Sequence, residues 1–333
     1  MKAHAVVFTD KERAEYAEVR VPKPGDHDVV VDVEYSWIST GTESSYFRGE
    51  RIRGETPYRP GDPRPFPIVA GYQKVGIVRQ VGSAVQGVAP GERVFAALSK
   101  VSGMFDATGG HVSPAVTPAG QLWKLPEGAA PLDYCGLVLA QVGYNCGMRP
   151  AVGRGDRAVV IGDGLVGQWA AQTLLHRGAD VTVLGRHDGR LSMLPKPIRS
   201  ANMRRTELAA ALEGGPVAVV VDSVGDMDAF RAIQPAMKRD SHFVSAGFLG
   251  EKGIVDIQTL RGQEITLHTP SGWTGKRMEE TIRAIADGWL QTSRLITHRF
   301  PAERAADAWK LIRDKKADCL GIVLCWQAGT EGR

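Results

Sequence analysis

The chain has few cysteines and no long apolar run. Its 333 residues include four cysteines, and none of these forms a C-x-x-C pair or lies near a histidine at zinc-finger spacing. No apolar stretch approaches the roughly 18 residues that a membrane-spanning helix needs. The apolar run within residues 1–7 is too short for a secretion signal. We therefore expect a cytoplasmic protein with reduced thiols and no membrane partner.

A large excess of one charge is also missing. Lysine and arginine number 41 and aspartate and glutamate 37, which leaves a net charge of +4. The basic residues form no long runs, so we expect no nucleic-acid partner. A hydrophobic fraction of 43% and a charged fraction of 23% exclude a disordered, collagen-like or coiled-coil chain. The length fits two domains.

The first 128 or so residues have the pattern of a β-rich domain. Short apolar runs are separated by clusters of Gly, Pro and Asp, and strands at this spacing are typical of an all-β, barrel-like domain. The runs are Ala3–Phe8, Val29–Val33, Gly76–Val81 and Arg93–Ala97. Residues 43–66 are rich in Arg, Pro and Gly. We predict a loop there, and a long loop inside a compact domain is often functional.

Beyond Pro126, predicted strands and helices alternate. Strands that are apolar on both faces favour a parallel, doubly wound sheet, so we predict an α/β fold. The predicted strands are Arg157–Ile161, Asp180–Leu184, Val217–Asp222, Phe243–Ala246, Glu264–His268 and, near the end, Gly321–Leu324. The predicted helices are Pro131–Arg149, Gly167–Arg177, Met278–Gly288 and Pro301–Lys315.

A glycine-rich turn joins the first of these strands to the next helix. Its sequence, Gly162-Asp163-Gly164-Leu165-Val166-Gly167, is G-x-G-x-x-G. The first glycine allows a sharp turn, the second lets the backbone approach a pyrophosphate, and the third lets helix and strand pack closely. The helix N-terminus adds free N–H groups for the phosphates. We predict that Gly162, Gly164, Leu165, Val166 and Gly167 bind a dinucleotide.

The end of the second strand predicts which dinucleotide is bound. Sites for NAD place an Asp or Glu there for the ribose hydroxyls, but this chain has Gly185, followed by Arg186 and His187, with Arg190 nearby. The missing carboxylate removes repulsion toward a 2′-phosphate, and a guanidinium can pair with that phosphate. We therefore predict NADP(H). The alternative is that Arg186 is a surface residue and Asp188 takes the ribose of NAD.

The order of elements and several motifs resemble the medium-chain dehydrogenase/reductase family. The motifs are G-Y-Q-K-V-G-I-V (Gly71–Val78), V-x-P-G-E-R-V (Val88–Val94), the glycine turn, V-V-V-D-S-V-G (Val219–Gly225) and the run Leu295–Trp309. The resemblance implies a GroES-like catalytic domain at 1–128, completed by 290–333, and a Rossmann NADP-binding domain at 129–289. It also implies a homodimer, joined edge to edge near Glu264–His268. The segment Ile38–Glu43 further resembles the branch that contains bacteriochlorophyllide hydroxyethyl dehydrogenase.

The sequence departs from this family at the zinc positions. Zinc-dependent members have a cysteine before G-T-D, where this chain has Ser39 and Thr40, and a histidine in G-H-E, where it has Tyr72. Their third ligand falls near Leu137, and residues 96–116 contain no cysteine for a structural zinc. None of these residues is a good zinc ligand, so we predict no metal.

Without zinc, carbonyl reduction needs another donor where negative charge develops on the substrate oxygen. Tyr72 is the best candidate because it replaces a ligand, and Thr42 and Thr40 offer hydroxyls for a proton relay. The alternatives are a packed aromatic for Tyr72 and turn capping for the threonines. For Glu43 we favour a structural carboxylate that holds the catalytic loop over an acid or base.

Further residues are predicted to line the cofactor. Gln141 lies where the family contacts the nicotinamide. Ser223 and Gly225, and Ala246 and Gly247, follow predicted strands, whose carboxyl ends bind the cofactor in such sheets. Residues 192–205 contain several arginines and two prolines in place of the usual strand and helix. We interpret Arg199, Arg204 and Arg205 as part of a solvated loop; the alternative is that they approach the adenosine phosphate.

These inferences favour an alcohol dehydrogenase or ketoreductase that acts on a small molecule. Arginines between Arg48 and Arg64 suggest a polar or anionic ring such as a sugar or cyclitol, although a solvated loop explains them as well. An enoyl or quinone reductase is the second hypothesis, and a non-catalytic NADPH-binding sensor is the third.

Overall fold

The computed structural model describes residues 1–54, 56–250, 252–314 and 318–326, and it divides the chain into two units. The first unit combines Met1–Val138 with the segment from Ile296 onward, and the second is Leu139–Leu295. The predicted boundaries, after residues 128 and 289, lie somewhat earlier in the chain. A carboxyl-terminal segment that joins the first unit is the arrangement that the resemblance implies.

The first unit consists mainly of short strands. They are β1 (Lys2–Asp10), β2 (Arg13–Arg20), β3 (Asp28–Ile38), β4 (Arg51–Arg53), β5 (Thr56–Pro57), β6 (Ile68–Val69), β7 (Lys74–Val81), β8 (Arg93–Ala96), β9 (Ser99–Lys100), β10 (Thr108–Gly109), β11 (Val112–Ser113), β12 (Ala115–Pro118) and β13 (Leu122–Lys124). Strands β14 to β19 belong to the second unit, and β20 (Ile296–Pro301) and β21 (Gly321–Cys325) complete the first. Its helices are α1 (Thr42–Phe47), α2 (Pro131–Tyr134) and α10 (Ala305–Asp314).

Most strands of this unit curl into two sheets around a valine-rich core, and β4 and β5 form a separate two-stranded sheet. In the larger sheet the order is β10-β9-β12-β3-β7-β8-β13, and β21 pairs with β3 and β20. In the smaller sheet β1 lies between β11 and β2 and also pairs with β6. The odd residues Val29, Val31 and Val33 of β3 point into one core cluster, as the two-residue period of a strand requires. The four strand predictions in this part of the chain are confirmed, with β3 longer than expected.

The prediction of a loop at 43–66 is wrong in part. Helix α1 occupies its start, and β4 and β5 pair within it. Glu43 lies in the first turn of this helix and accepts a hydrogen bond from the backbone N–H of Ser39 (2.7 Å), which precedes the helix. A carboxylate in the first turn of a helix is stabilising, and the Arg-rich composition masked this signal.

The second unit contains a parallel sheet with helices. Its strands are β14 (Arg157–Ile161), β15 (Asp180–Gly185), β16 (Arg199–Asn202), β17 (Val217–Asp222), β18 (Met237–Ser245) and β19 (Thr266–His268). Its helices are α3 (Leu137–Met148, which begins just before the unit), α4 (Leu165–His176), α5 (Asp188–Leu191), α6 (Leu208–Ala211), α7 (Met227–Ile233), α8 (Ile257–Gly262) and α9 (Gly275–Ala286). In the described residues the order is β16-β15-β14-β17-β18-β19, and every pair is parallel. The predicted α/β fold, with a GroES-like domain and a Rossmann sheet, is confirmed.

Two local expectations are corrected in this region. The helix expected at Pro131–Arg149 is divided at Cys135 and Gly136, and a Cβ on Gly136 would lie 2.8 Å from the ring of Trp37. Residues 192–205 do contain a strand, because β16 pairs in parallel with β15. Two prolines just before it, Pro195 and Pro197, hid this four-residue strand in the sequence. Among the described residues, no helix has both the length and the apolar character to cross a membrane.

Candidate active site

Tyr72 lies in the turn that leads into β7. Gly71 adopts a φ of +83°, which favours glycine. A Cβ there would lie 2.6 Å from the ring of His111, and a Cβ on Gly110 would lie 2.1 Å from the backbone nitrogen of Tyr72. The two glycines therefore let the turn that carries Tyr72 pack directly against the segment that carries His111.

The Tyr72 hydroxyl meets the loop before α1. Burial raises the pKa of Tyr72 well above its ordinary value, and the charge of Glu43 raises it further. Hydrogen bonds with the side chains of Ser39 and Thr42, and the more distant charge of Arg51, oppose this effect only in part. The phenol therefore stays protonated at neutral pH and is an O–H donor. The structure brings Tyr72, Thr42 and Glu43 together, and their catalytic role stays a prediction.

Glu43 is buried and fully engaged by the protein. Its Oε1 accepts the Ser39 N–H at 2.7 Å, and its Oε2 lies 3.0 Å from Nε2 of His111. Its own N–H donates to the Ser39 carbonyl oxygen at 2.9 Å. These contacts favour the interpretation of Glu43 as a structural carboxylate that holds the loop. Thr40 is partly buried beside this loop, and its catalytic role stays a prediction.

His111 is a site residue that the sequence analysis missed. It is fully buried, and its Nδ1 lies 2.8 Å from Oγ of Ser36. The same Oγ accepts a hydrogen bond from Nε1 of Trp326 at 2.8 Å. A chain of hydrogen bonds thus links the end of the described chain to Glu43 through a histidine. The partners are 68 to 290 positions apart in sequence, so no local pattern reveals them.

The three positions where the resemblance places zinc ligands carry a hydroxyl, a phenol and an alkyl group. They are Thr40, Tyr72 and Leu137. Zinc in proteins is held by thiolate, imidazole or carboxylate, so these residues do not fit the metal. In the part of the chain that the structure describes, no group of three or more His, Cys, Asp or Glu side chains is placed to hold a metal ion.

Three of the arginines in residues 48–64 are engaged by the protein itself. Arg48 forms a two-pronged pair with Glu50, with Nε 2.6 Å from Oε1, and Arg64 pairs with Asp10. Arg51 is buried and donates to the Gly54 carbonyl oxygen at 3.1 Å. These contacts favour a structural loop over a set of arginines reserved for a substrate.

In the second unit, the glycine turn has the shape that a pyrophosphate needs. A Cβ on Gly167 would lie 2.1 Å from the Gly162 carbonyl oxygen, and one on Gly162 would lie 2.5 Å from Oγ of Ser223. A Cβ on Gly164, in contrast, would meet nothing within 4 Å. Gly164 is the N-cap of α4 and no side chain caps this end, so the first N–H groups, at Leu165 and Val166, remain available to phosphate oxygens.

The neighbouring strand ends bring the other predicted cofactor residues to the same edge of the sheet. Ser223 follows β17 and donates from Oγ to the Ile161 carbonyl oxygen at 2.8 Å. Gly247 and Gly225 are in close contact, because a Cβ on Gly247 would lie 1.9 Å from the Gly225 nitrogen. Ala246 donates from its N–H to the Asp222 carbonyl oxygen at 2.8 Å.

Asp222, the last residue of β17, holds this edge together and was not singled out from the sequence. Its Oδ1 accepts the N–H groups of Val224 and Gly225, each at 2.9 Å, and its Oδ2 accepts that of Asp226 at 2.9 Å. Asp222 is fully buried, so it shapes the loop after β17 and does not face solvent.

The end of β15 carries the residues predicted to choose the dinucleotide. Gly185 is buried, and Arg186 extends into solvent with 64% of its side chain exposed, 3.6 Å from Asp226. His187 and Arg190 both contact Asp163 of the glycine turn, at 3.1 Å and 3.5 Å. The sequence analysis did not single out Asp163, because the x positions of G-x-G-x-x-G accept many residues.

The alternative ribose acceptor, Asp188, is engaged elsewhere. Its Oδ1 accepts from Nδ2 of Asn202 at 2.7 Å and also pairs with Arg205. Arg199 pairs with Asp180 on the surface at 2.7 Å, and Arg204 is exposed. These contacts agree with the interpretation of the three arginines as solvated residues.

Gln141 lies on α3 and is fully buried. Its Nε2 donates to the Gly272 carbonyl oxygen at 3.3 Å, while its Oε1 has no hydrogen-bond partner among the described residues. A buried acceptor of this kind is costly unless a ligand satisfies it. The open space at Gly164 and this orphan acceptor are the two features of the second unit that a nicotinamide dinucleotide would use.

Two family models match the chain. A model described as an alcohol dehydrogenase GroES-like domain matches residues 25–127, and one described as a zinc-binding dehydrogenase matches residues 196–318.

The relatives extend over nearly the whole chain. 2-Desacetyl-2-hydroxyethyl bacteriochlorophyllide A dehydrogenase of Cereibacter sphaeroides is 25% identical and aligns over 98% of this chain and 99% of its own. Among solved structures, an alcohol dehydrogenase of Escherichia coli CFT073 in complex with NADH superposes with a TM-score of 0.84, at 22% identity and over 98% and 99% of the two chains. A structure from Sinorhizobium meliloti 1021, described as a zinc-binding dehydrogenase bound to NADP, gives 0.82, at 19% identity and over 98% and 100%.

These matches cover both units, and the branch of the first relative is the one that Ile38–Glu43 resembles. The solved structures support the fold, since their identity is low. The two family models, the relative and the shared fold together show that the chain belongs to the medium-chain dehydrogenase/reductase family, whose members are oxidoreductases.

Proposed function

We propose that this chain is a zinc-independent, NADP(H)-dependent oxidoreductase that transfers hydride between the nicotinamide and a secondary alcohol or ketone. Tyr72 is the main support for this proposal. It stands where zinc-dependent relatives have a metal ligand, and its hydroxyl is hydrogen bonded to Ser39 and Thr42.

In carbonyl reduction, negative charge develops on the substrate oxygen and needs a hydrogen-bond donor. NADP(H), when bound, supplies or accepts the hydride. Tyr72 donates its O–H to the substrate oxygen and passes its proton to the forming alcohol. Thr42, which is partly exposed, then passes its hydroxyl proton to Tyr72 and takes up another from solvent, while the buried Ser39 orients the phenol. In alcohol oxidation the same residues carry the proton in the opposite direction.

The buried neighbours of Tyr72 determine its position. Glu43 anchors the backbone of Ser39, and His111 anchors Glu43 while it packs beneath Gly71. The donor is therefore fixed before a substrate arrives, which reduces the cost of reorganisation during the reaction.

The preference for NADP(H) is supported by Gly185 and its basic neighbours. A ribose carboxylate is missing from the end of β15, and the exposed guanidinium of Arg186 is available to a 2′-phosphate. Homologous folds bind either dinucleotide, so this preference depends on the residues of this chain.

An assay of wild type and Tyr72→Phe tests this function. It measures the oxidation of NADPH and of NADH with each of four substrates: a ketone, a cyclitol-derived ketone, an enone and a quinone. We expect NADPH and a ketone to be preferred, and Tyr72→Phe to lower kcat by roughly 100-fold with unchanged NADPH affinity. Tyr58→Phe is the matched control, because it removes a phenol of the same unit that bonds the Asp62 carbonyl oxygen.

Several results would contradict this function. Undiminished turnover in Tyr72→Phe removes Tyr72 from the mechanism. Stoichiometric zinc in the purified protein overturns zinc independence. Faster turnover of the enone or quinone favours the second hypothesis, and tight NADPH binding without any turnover favours the sensor. The homodimer stays a prediction, which light scattering can test.

A further inference from the structure

A carboxylate does occupy the place at the end of β15 where dinucleotide sites usually have one, but it comes from another element. A Cβ on Gly185 would lie 2.6 Å from Oδ2 of Asp163 and 2.7 Å from its Cβ. The side chain of Asp163, from the turn between β14 and α4, therefore fills the space that an acidic residue at 185 would use.

This carboxylate faces the protein and not the solvent. Asp163 is 5% exposed, and its Oδ2 accepts the backbone N–H groups of Arg186 at 2.7 Å and His187 at 2.8 Å. Nδ1 of His187 lies 3.1 Å from the same oxygen, and Nη1 of Arg190 lies 3.5 Å from Oδ1. A carboxylate accepts about four hydrogen bonds, so the protein itself uses most of this capacity.

Asp163 keeps its negative charge in this setting. Burial alone would raise the pKa of Asp163, but the two backbone N–H groups and the His187 side chain outweigh burial and hold the pKa below its ordinary value. The charge is balanced locally by Arg190 and the N–H dipoles. It therefore fixes the basic loop without presenting a free anion to the ligand.

We propose that Asp163 is a positioning residue for cofactor selectivity, which holds Arg186, His187 and Arg190 in place to bind the 2′-phosphate of NADP(H). This inference rests on the proposed use of NADP(H). It assigns to Asp163 the opposite role from the acidic residue of an NAD site, which accepts the ribose hydroxyls directly. The hydrogen bond to Asp163 fixes the backbone of Arg186, whose side chain stays exposed for the phosphate.

Asp163→Asn tests this role with little change in shape. Both backbone N–H groups bond the same oxygen, so an amide oxygen can keep them, while the amide NH₂ replaces the oxygen that faces Arg190. We expect the Kd for NADPH, measured by fluorescence titration, to rise about tenfold, as for loss of one charged hydrogen bond. The Kd for NADH should change less than about twofold, so the selectivity ratio falls.

Asp188→Asn is the matched control. This substitution removes a carboxylate charge from the same loop. That carboxylate contacts Asn202 and Arg205 and not Asp163. The selectivity ratio should stay at its wild-type value. If Asp163→Asn fails to fold, Asp163→Ser removes the carboxylate instead and leaves Arg186, His187 and Arg190 unchanged, and the same fall in the ratio is expected.

Each outcome decides one of the two claims. A wild-type protein that binds NADH more tightly than NADPH refutes the proposed use of NADP(H), whatever the variants do. If wild type prefers NADPH and Asp163→Asn leaves the ratio unchanged, Asp163 is merely structural and the inference fails alone. The inference also fails if the variant loses NADH affinity selectively, because Asp163 would then bind the ribose itself.

Discussion

Lys74 is the most unusual side chain at the residue scale. It begins β7, two residues after Tyr72, and is fully buried. Its Nζ donates to the Ala97 carbonyl oxygen at 2.6 Å. Burial disfavours the charged form of an amine, and it lowers the pKa of Lys74 from 10.5 to about 7.

This burial predicts a stability that rises with pH. Below about pH 7 the amine is charged in both states, so the full cost of burial weighs on the fold. Between about pH 7 and 10.5 the unfolded chain binds more protons than the folded one, and stability rises by at most about 1.4 kcal/mol per pH unit. Above that range this group adds no further change.

Lys74→Met should remove this slope. Urea unfolding at pH 6.5, 8 and 9.5 should give a free-energy difference, wild type minus variant, that becomes more positive with pH. Lys276→Met serves as the control, because the Lys276 side chain is 84% exposed and its removal should leave the slope intact. Parallel pH profiles for wild type and Lys74→Met would contradict the expectation.

At the scale of elements, the turn between β14 and α4 assigns different tasks to its glycines. Gly167 is needed for packing, because a Cβ there would lie 2.1 Å from the Gly162 carbonyl oxygen. Gly164 has open space and a φ of −76°, which any residue adopts. Its lack of a side chain therefore matters only toward a ligand.

The two alanine variants should separate these tasks. Gly167→Ala should lose stability by about 1–3 kcal/mol through overpacking, seen as a lower Tm. Gly164→Ala should keep the wild-type Tm but bind NADPH at least about tenfold more weakly, a loss of about 1.4 kcal/mol. Equal NADPH affinity in Gly164→Ala and wild type would mean that the pyrophosphate does not lie on this turn.

At the scale of the whole molecule, the first unit is built from both ends of the chain. Strand β21 pairs with β3 over Ile322–Cys325 and with β20 on its other side. Ile322, Val323 and Leu324 are fully buried. The hydrogen bond from Trp326 to Ser36 then connects this strand to His111 and Glu43, so the loop before α1 depends on residues 321–326.

Removal of β21 should therefore unfold the first unit and not the second. In a chain that stops at Leu320, limited proteolysis should degrade residues 1–138 while a fragment close to 139–295 survives, because the second unit keeps all its own strands. Mass spectrometry identifies the fragments, and the intact chain is the reference. Equal resistance of residues 1–138 in both chains would show that β21 is dispensable.

The sequence alone predicted the elements whose signals are local. The parallel strands β14 and β17 were predicted residue for residue, because strands buried on both faces read as continuous apolar runs. The glycine turn was also predicted, because the residues of its G-x-G-x-x-G motif are neighbours in the chain. Short elements such as α1 and β16 were missed, because a few polar residues carry too weak a pattern.

Only the tertiary structure revealed the buried polar residues that hold each site. Asp163 contacts partners 23 and 24 positions away, and Glu43 contacts His111 across 68. Each looks like an ordinary polar residue in the sequence, because its role depends on a partner that folding alone brings near. The amino-acid order thus determined the strands, the turn and the missing zinc ligands. Folding decided which carboxylate stands beside Gly185 and which histidine supports the loop beside Tyr72.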